Sequence, residues 1–294
     1  MRNLLSAEWQ KMTGHRWMIG FTVWIFPVGA VGVFATFILL LFLMPDSKDR
    51  LLNAPLVWTE QFMGPWVMFG GAGGGIFARS LPIVFCASVF AGEFSWGTWK
   101  NIAPRSQRLN LIFVKFVIAV AILVLALMIT SVVAGLATFM LAGVSGQSLL
   151  PEMNAETLSV FMGDYASAVA LGFVIIILIA NYAAIASMLT RSVVGGAVAG
   201  MGIMIFEEFL LPILNLLARL LNTPDMIQLY RFTPTYNLKN ATHWVQMGEP
   251  SNNQFYLELA QPDTLLFSVG LLIVWCVGSF LIVAWLFNRQ DITT

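Results

Sequence analysis

Hydrophobic positions along this chain come in long unbroken blocks, not in the alternation of a strand or the three-to-four spacing of a soluble helix. A span needs about 20 mostly apolar residues to cross about 30 Å of hydrocarbon. Residues 17–44 form an uncharged block of that kind, with Pro27 as an expected kink. Residues 110–144, 165–190 and 264–288 supply three more. The block after residue 62 holds Arg79 and the run GGAGGG at 70–75, so the span is placed at 76–93 and the glycines in a loop or re-entrant segment. Arg79 then lies about 21 Å from Glu93 along the axis, within snorkelling reach of the far headgroups. A sixth span is expected at 192–221, interrupted by Glu207 and Glu208. Glu207 lies about 24 Å from Arg191 and so near the far surface.

Polar positions then set the organisation. Residues 1–16 carry Leu5, Trp9 and Met12 on one stripe, with Glu8 and Lys11 off it, as expected of a helix lying in the headgroup region. Residues 94–108 form a short polar island, and 222–263 a long loop with four prolines and six aromatic residues, expected to pack as an outer cap. With the N-terminus inside, Arg2, Lys11, Arg16, Lys100, Arg105, Arg108, Lys115, Arg191 and Arg289 share one side with only Glu8, Glu93 and Asp291. That asymmetry orients both termini to the cytoplasm. The expected fold class is an all-α integral membrane protein of six transmembrane helices, multi-pass, with membrane lipids as its surroundings.

Composition sharpens this. The 294 residues are 59% hydrophobic and 10% charged, with mean hydropathy +0.82, where soluble domains carry about a quarter charged residues. Net charge is zero, so nothing points to nucleic acid. Cys86 and Cys276 lie in apolar blocks and read as small hydrophobes. His15 and His243 fall on opposite sides of the expected membrane, so no metal site is expected. No phosphate-binding G-x-x-x-x-G-K-[ST] motif, zinc-protease H-E-x-x-H or nucleophile elbow G-x-S-x-G occurs, so neither an enzyme nor a cofactor is expected in this chain.

Two places remain for function. Glu207, Glu208 and Arg79 either line a pathway or outer gate, or sit near the outer interface, solvated or paired with Arg79 or Arg219. In the island, Trp96, Trp99 and Ile102 share one helical face that Pro104 terminates, with Arg105, Arg108 and Lys115 at headgroup level. It is either an ordinary basic loop with interfacial tryptophans or a plug for a partner's pocket.

The island resembles the loop between the second and third spans of the permease subunits of type-2 ABC exporters, in the bacterial bacitracin, lantibiotic-immunity and sodium-export-like branch. Glu93, Gly97, Thr98, Pro104, Arg105, Arg108 and Lys115 supply that loop's residues in order, and the ending FNRQDI is similar to the family's C-terminus. Trp99 stands where an aliphatic residue is commoner. The resemblance implies a type-2 exporter fold with an N-terminal elbow helix, in the bacterial cytoplasmic membrane. It implies that Glu93, Trp96, Gly97, Thr98, Trp99, Ile102 and Arg105 form a coupling helix docking on a separate ATPase. Two ATPase copies would bring ATP and Mg, and a second permease, identical or homologous, would complete the pair. The substrate would be hydrophobic or amphipathic: a peptide, an antibiotic or a lipid. The competing readings are a non-transporting module that couples ATPase closure to an extracytoplasmic partner, and a carrier or channel that works without ATP.

Overall fold

The computed structural model describes residues 2–14, 20, 24–43, 55–70, 75–95, 97, 99, 107–250 and 263–290. Among these the chain is almost wholly helical. The helices are α1 (Arg2–Gly14), α2 (Ile25–Leu43), α3 (Trp58–Gly70), α4 (Gly75–Ser95), α5 (Arg108–Ser145), α6 (Ala155–Thr190), α7 (Val193–Leu220), α8 (Pro234–Met247) and α9 (Leu265–Arg289). A 3-10 helix, Pro224–Phe232, precedes α8. Two short strands, β1 (Leu56–Val57) and β2 (Leu149–Leu150), pair in parallel.

Four helices, α5, α6, α7 and α9, are long and apolar enough to cross a membrane. This is an all-α protein of multi-pass membrane character. The apolar helix α2 is shorter, and α4 carries Arg79, Pro82 and Glu93. Pro27 lies three residues after the π-helical Trp24, and the stretch before that, where the expected kink would show, lies outside the described residues. Both α5 (38 residues) and α6 (36 residues) are about 55 Å long, well beyond a 30 Å core. The apolar count fixed the start of α6 at 165, but the helix continues to Ala155, where the Asn154 side chain accepts the Thr157 N–H at 2.8 Å.

Helix α6 is the centre of the bundle, packed by α3, α4, α7, α8 and α9. Its stretch from Ile175 to Met188 is almost entirely buried. Close approach to α7 depends on small residues. A Cβ on Gly196 would lie 2.5 Å from the Ser187 Oγ, and one on Gly200 3.1 Å from Ile83 and 3.4 Å from the Ala183 backbone. Gly196 and Gly200 thus form a small-xxx-small seam, the usual way to bring apolar helices together without a hydrophobic drive. Helix α3 lies along α5 and α6, and α1 and α2 lie on α5. Gly70 ends α3 and Gly75 starts α4, so the glycine run joins two helices.

Residues 222–250 are not a cap resting on the bundle. The Trp275 indole N–H donates to the Phe232 carbonyl at 2.7 Å, and Trp275 lies about 15 Å along α9 from its first residue. The turn between the 3-10 helix and α8 therefore dips inward. From there α8 rises along α9, where Asn240 donates to the Ser268 hydroxyl at 2.9 Å and the Asp263 carbonyl at 3.0 Å. Asp263 also takes the Tyr236 hydroxyl at 2.9 Å and pairs with Arg231, locking both arms to the start of α9. Dipping backbone is tolerated in such a place only where its polar groups are met by protein, as these are.

Candidate functional site

Charged groups gather in two places in the bundle. At the end where α1 lies, the Lys115 ammonium donates to Glu8 at 2.9 Å and to Glu93 at 2.8 Å, and Lys11 donates to the same Glu93 oxygen. Lys115 and Glu93 are each 2% exposed, and Glu8 is buried as well. Two lysines and two glutamates alternate, so the cluster is neutral. A buried charge survives only with such partners. The cluster joins α1, the last turn of α4 and the first turns of α5.

Its roof is aromatic. The Trp99 ring lies 5.5 Å from the Lys115 nitrogen, 4.6 Å from the Phe287 ring of α9 and 5.8 Å from that of Phe94. An ammonium near a desolvated indole face gains cation–π stabilisation. Beside it, Arg108 donates to the carbonyls of Asn288 at 3.1 Å and Gln290 at 2.9 Å at the end of α9. The Gln290 side chain in turn reaches the Met188 carbonyl of α6. One joint thus ties α1, α4, α5, α6 and α9.

The residues singled out from the sequence divide here. Glu93 lies in the joint. Trp99 is 2% exposed and faces its own chain, so the outward tryptophan face expected from the sequence does not hold at this residue. The pocket it fills is the one between Phe94, Phe287 and Lys115. Gly97 is exposed at φ +63°, a left-handed turn that favours glycine, and its N–H bonds to the Phe94 carbonyl at 3.2 Å. Trp96, Thr98, Ile102 and Arg105 lie outside the described residues. On α1, Met12 is buried while Leu5 and Trp9 are exposed. The sequence reading placed Glu8 and Lys11 on the solvated side, yet they face the protein. The stripe is therefore split: Leu5 and Trp9 point away from the bundle, and Met12 packs into its core.

Deeper in the bundle, beside the turn that dips inward before α8, Glu207 accepts the Tyr182 hydroxyl at 3.0 Å and the Thr235 backbone N–H at 3.0 Å. The latter belongs to the first turn of α8, so the carboxylate caps the positive end of that helix. Glu208 faces the other way, 3.8 Å from Arg79 and 3.4 Å from Lys239. Of the two partners considered for the glutamates, Arg79 is the one in reach. Arg79, Tyr182, Glu207 and Thr235 border a cavity of about 20 Å³. A larger one, about 150 Å³, lies between α3, α6 and α8, lined by Trp66, Leu171, Ile175 and Val245 with Asp164 at its edge.

Among the described residues no group of His, Cys, Asp and Glu could hold a metal ion. No protein-family model matches this sequence, and no curated protein matches it. Sequence reasoning missed Glu8, Lys11 and Tyr182 as site residues. A visible signal existed for the first two: charges placed i, i+3 on a helix otherwise greasy enough to lie on lipid.

Proposed function

We propose that this chain is the permease half of an ATP-driven exporter of the type-2 ABC class. Two copies of a separate ATPase carry ATP and Mg, and a second permease, identical or homologous, completes the complex. Its six spans are α2, α4, α5, α6, α7 and α9, both termini are cytoplasmic, and the membrane is the bacterial cytoplasmic one. The cargo is hydrophobic or amphipathic.

The observation that carries this reading is the joint around Lys115. Such a machine, without a nucleotide motif of its own, receives its work from outside, through the island that follows α4. Residues 93 and 99 of that stretch are anchored in the joint, so a push there displaces α1, α4 and α5 as one body. ATP binding that favours one ATPase geometry would then select one of two bundle packings. Trp99 serves as the anchor of the island, leaving Trp96, Ile102 and Arg105 to meet the ATPase.

The test is co-purification in mild detergent followed by ATPase assays in nanodiscs. An ATPase subunit is expected to co-purify with the tagged chain and to hydrolyse ATP faster in its presence. The double substitution Glu8→Gln/Lys115→Met, in which Glu93 keeps its Lys11 contact, is expected to keep assembly and remove that stimulation. Absence of any ATPase partner would defeat the proposal. The second reading, a non-transporting module acting on an extracytoplasmic partner, draws on the length of α5 and α6, which extend about 25 Å past a hydrocarbon core. Shortening residues 251–260 separates the two: loss of partner binding with intact export would favour the module.

A further inference from the structure

The cavity of about 150 Å³ between α3, α6 and α8 takes no part in the reading above. Its wall on α6 is one helical face, Asp164, Ala168, Leu171 and Ile175, at spacings of four, three and four. Trp66 closes it from α3. The indole is held in place, since its N–H donates to the Tyr165 hydroxyl at 3.3 Å and a Cβ on Gly172 would come within 2.7 Å of the ring. Val245 and Thr242 close it from α8, and the Thr242 hydroxyl is already committed to the Leu238 carbonyl at 2.8 Å. Gln246, exposed on α8, also borders the cavity, and the remaining wall, Trp66, Leu171, Ile175 and Val245, is apolar. A cavity of this size with an apolar wall accommodates a benzene-sized group.

The mouth has the opposite character. Asp164 is exposed and makes no hydrogen bond or ion pair with the described residues, and no lysine or arginine lines the cavity. Depth along α6 places this polarity change at a membrane surface. Counted from Thr190, Ile175 lies about 22 Å up the helix and Asp164 about 39 Å. With Thr190 at one face of a 30 Å core, the floor lies in hydrocarbon and the carboxylate lies beyond it, at headgroup level.

We infer that this cavity is a binding site for a cationic amphiphile, which seats a ring or a chain of about six carbons against Trp66 and sets its ammonium on Asp164. The charge of the mouth selects the head, and the fixed volume selects the tail. If the permease reading holds, this site names the charge class of its cargo. The inference takes from that reading only that the chain lies in a membrane, and its test needs no ATPase, so each can fail without the other.

Calorimetry on the full chain in phosphatidylcholine nanodiscs, with empty nanodiscs subtracted, uses three probes sharing one ring: benzyltrimethylammonium, benzyl alcohol and benzylsulfonate. The ammonium is expected to bind about fivefold more tightly than the alcohol, and the sulfonate most weakly. Asp164→Asn is expected to bring the ammonium down to the level of the alcohol, while Asp164→Glu retains the preference. Ala168→Leu, which fills the cavity with a hydrophobic side chain, is expected to remove binding of all three probes. Asp164 is exposed, so its substitutions leave folding intact, and an unchanged melting temperature checks this. Equal affinity for the three heads, or unchanged binding in Ala168→Leu, overturns the proposal.

Discussion

Two charge clusters, one at the α1 end of the bundle and one beside the turn that dips inward before α8, hold the same charges and use them differently. Each has two cations and two glutamates: Lys11, Lys115, Glu8 and Glu93 at the α1 end, and Arg79, Lys239, Glu207 and Glu208 in the other. At the first, Lys115 and Glu93 are each 2% exposed and 2.8 Å apart. At the second, Glu208 is 33% exposed and its partners stand at 3.4 and 3.8 Å. The buried core of the first, Lys115, Glu93 and Glu8, has one low-energy arrangement, because a displaced member there loses its partner without gaining water. A half-exposed cluster can exchange partners with solvent at little cost. The contrast teaches that the α1 end is built to transmit a displacement and the cluster before α8 to yield to one.

Breaking the tight end should therefore cost most. Lys115→Met takes an ion-pair partner from Glu8 and from Glu93, both buried, and is expected to destabilise the chain by about 3–5 kcal/mol. Adding Glu8→Gln should recover part of that loss, since the harm lies in the uncompensated carboxylate. Thermal unfolding in detergent reads both. Trp99→Ala is expected to cost a similar amount, about 3–5 kcal/mol, by opening a cavity against Phe287. If Trp99 pointed at a partner's pocket, the stability of the isolated chain would not change.

In the cluster before α8 the largest effect is expected at Glu207. Glu207→Gln weakens the cap on α8 and the Tyr182 contact, for a loss of about 1–3 kcal/mol. The consequence is local, because the arms around it remain fastened through Asp263 and Trp275. Hydrogen exchange should show faster opening at residues 235–238 with the amides of α5 unchanged. Uniform acceleration across the bundle would mean that the dip of residues 232–235 is a global support instead of a movable element.

How much of this was legible in the sequence depends on what each feature rests on. Apolar blocks place α5, α6, α7 and α9 because hydrocarbon demands length. They misplace ends: Glu156 and Asp164 belong to α6, yet a hydropathy count stops short of them, and Asn154 was the true marker. Glu93, Trp99, Glu207, Glu208 and Arg79 were visible as charges or aromatics out of place. Their partners were not, since Lys11 to Glu93 and Glu8 to Lys115 span 82 and 107 positions, and periodicity carries no information across such distances. The facing of α1 was open for a related reason. Amphipathicity gives a helix two faces, and only knowledge of where lipid lies says which one meets the protein. The aromatic content of 222–263 announced packing, but its depth is set by Glu207 meeting the α8 N-terminus, a contact between separate elements.

The smallest expected effect sharpens the comparison most. Glu208→Gln removes a carboxylate from Arg79 and Lys239, contacts that are long and partly solvated, so the stability change should stay within about 1 kcal/mol. Salt should separate the clusters further. Raising ionic strength screens the half-exposed pair, whereas the joint at Lys115 lies out of reach of ions. The wild-type chain is thus expected to lose a little stability with salt, and Glu208→Gln to lose that sensitivity while Lys115→Met keeps it. Equal salt dependence in all three chains would show that the two clusters differ in position alone, and the division into a stiff cluster and a yielding one would fall.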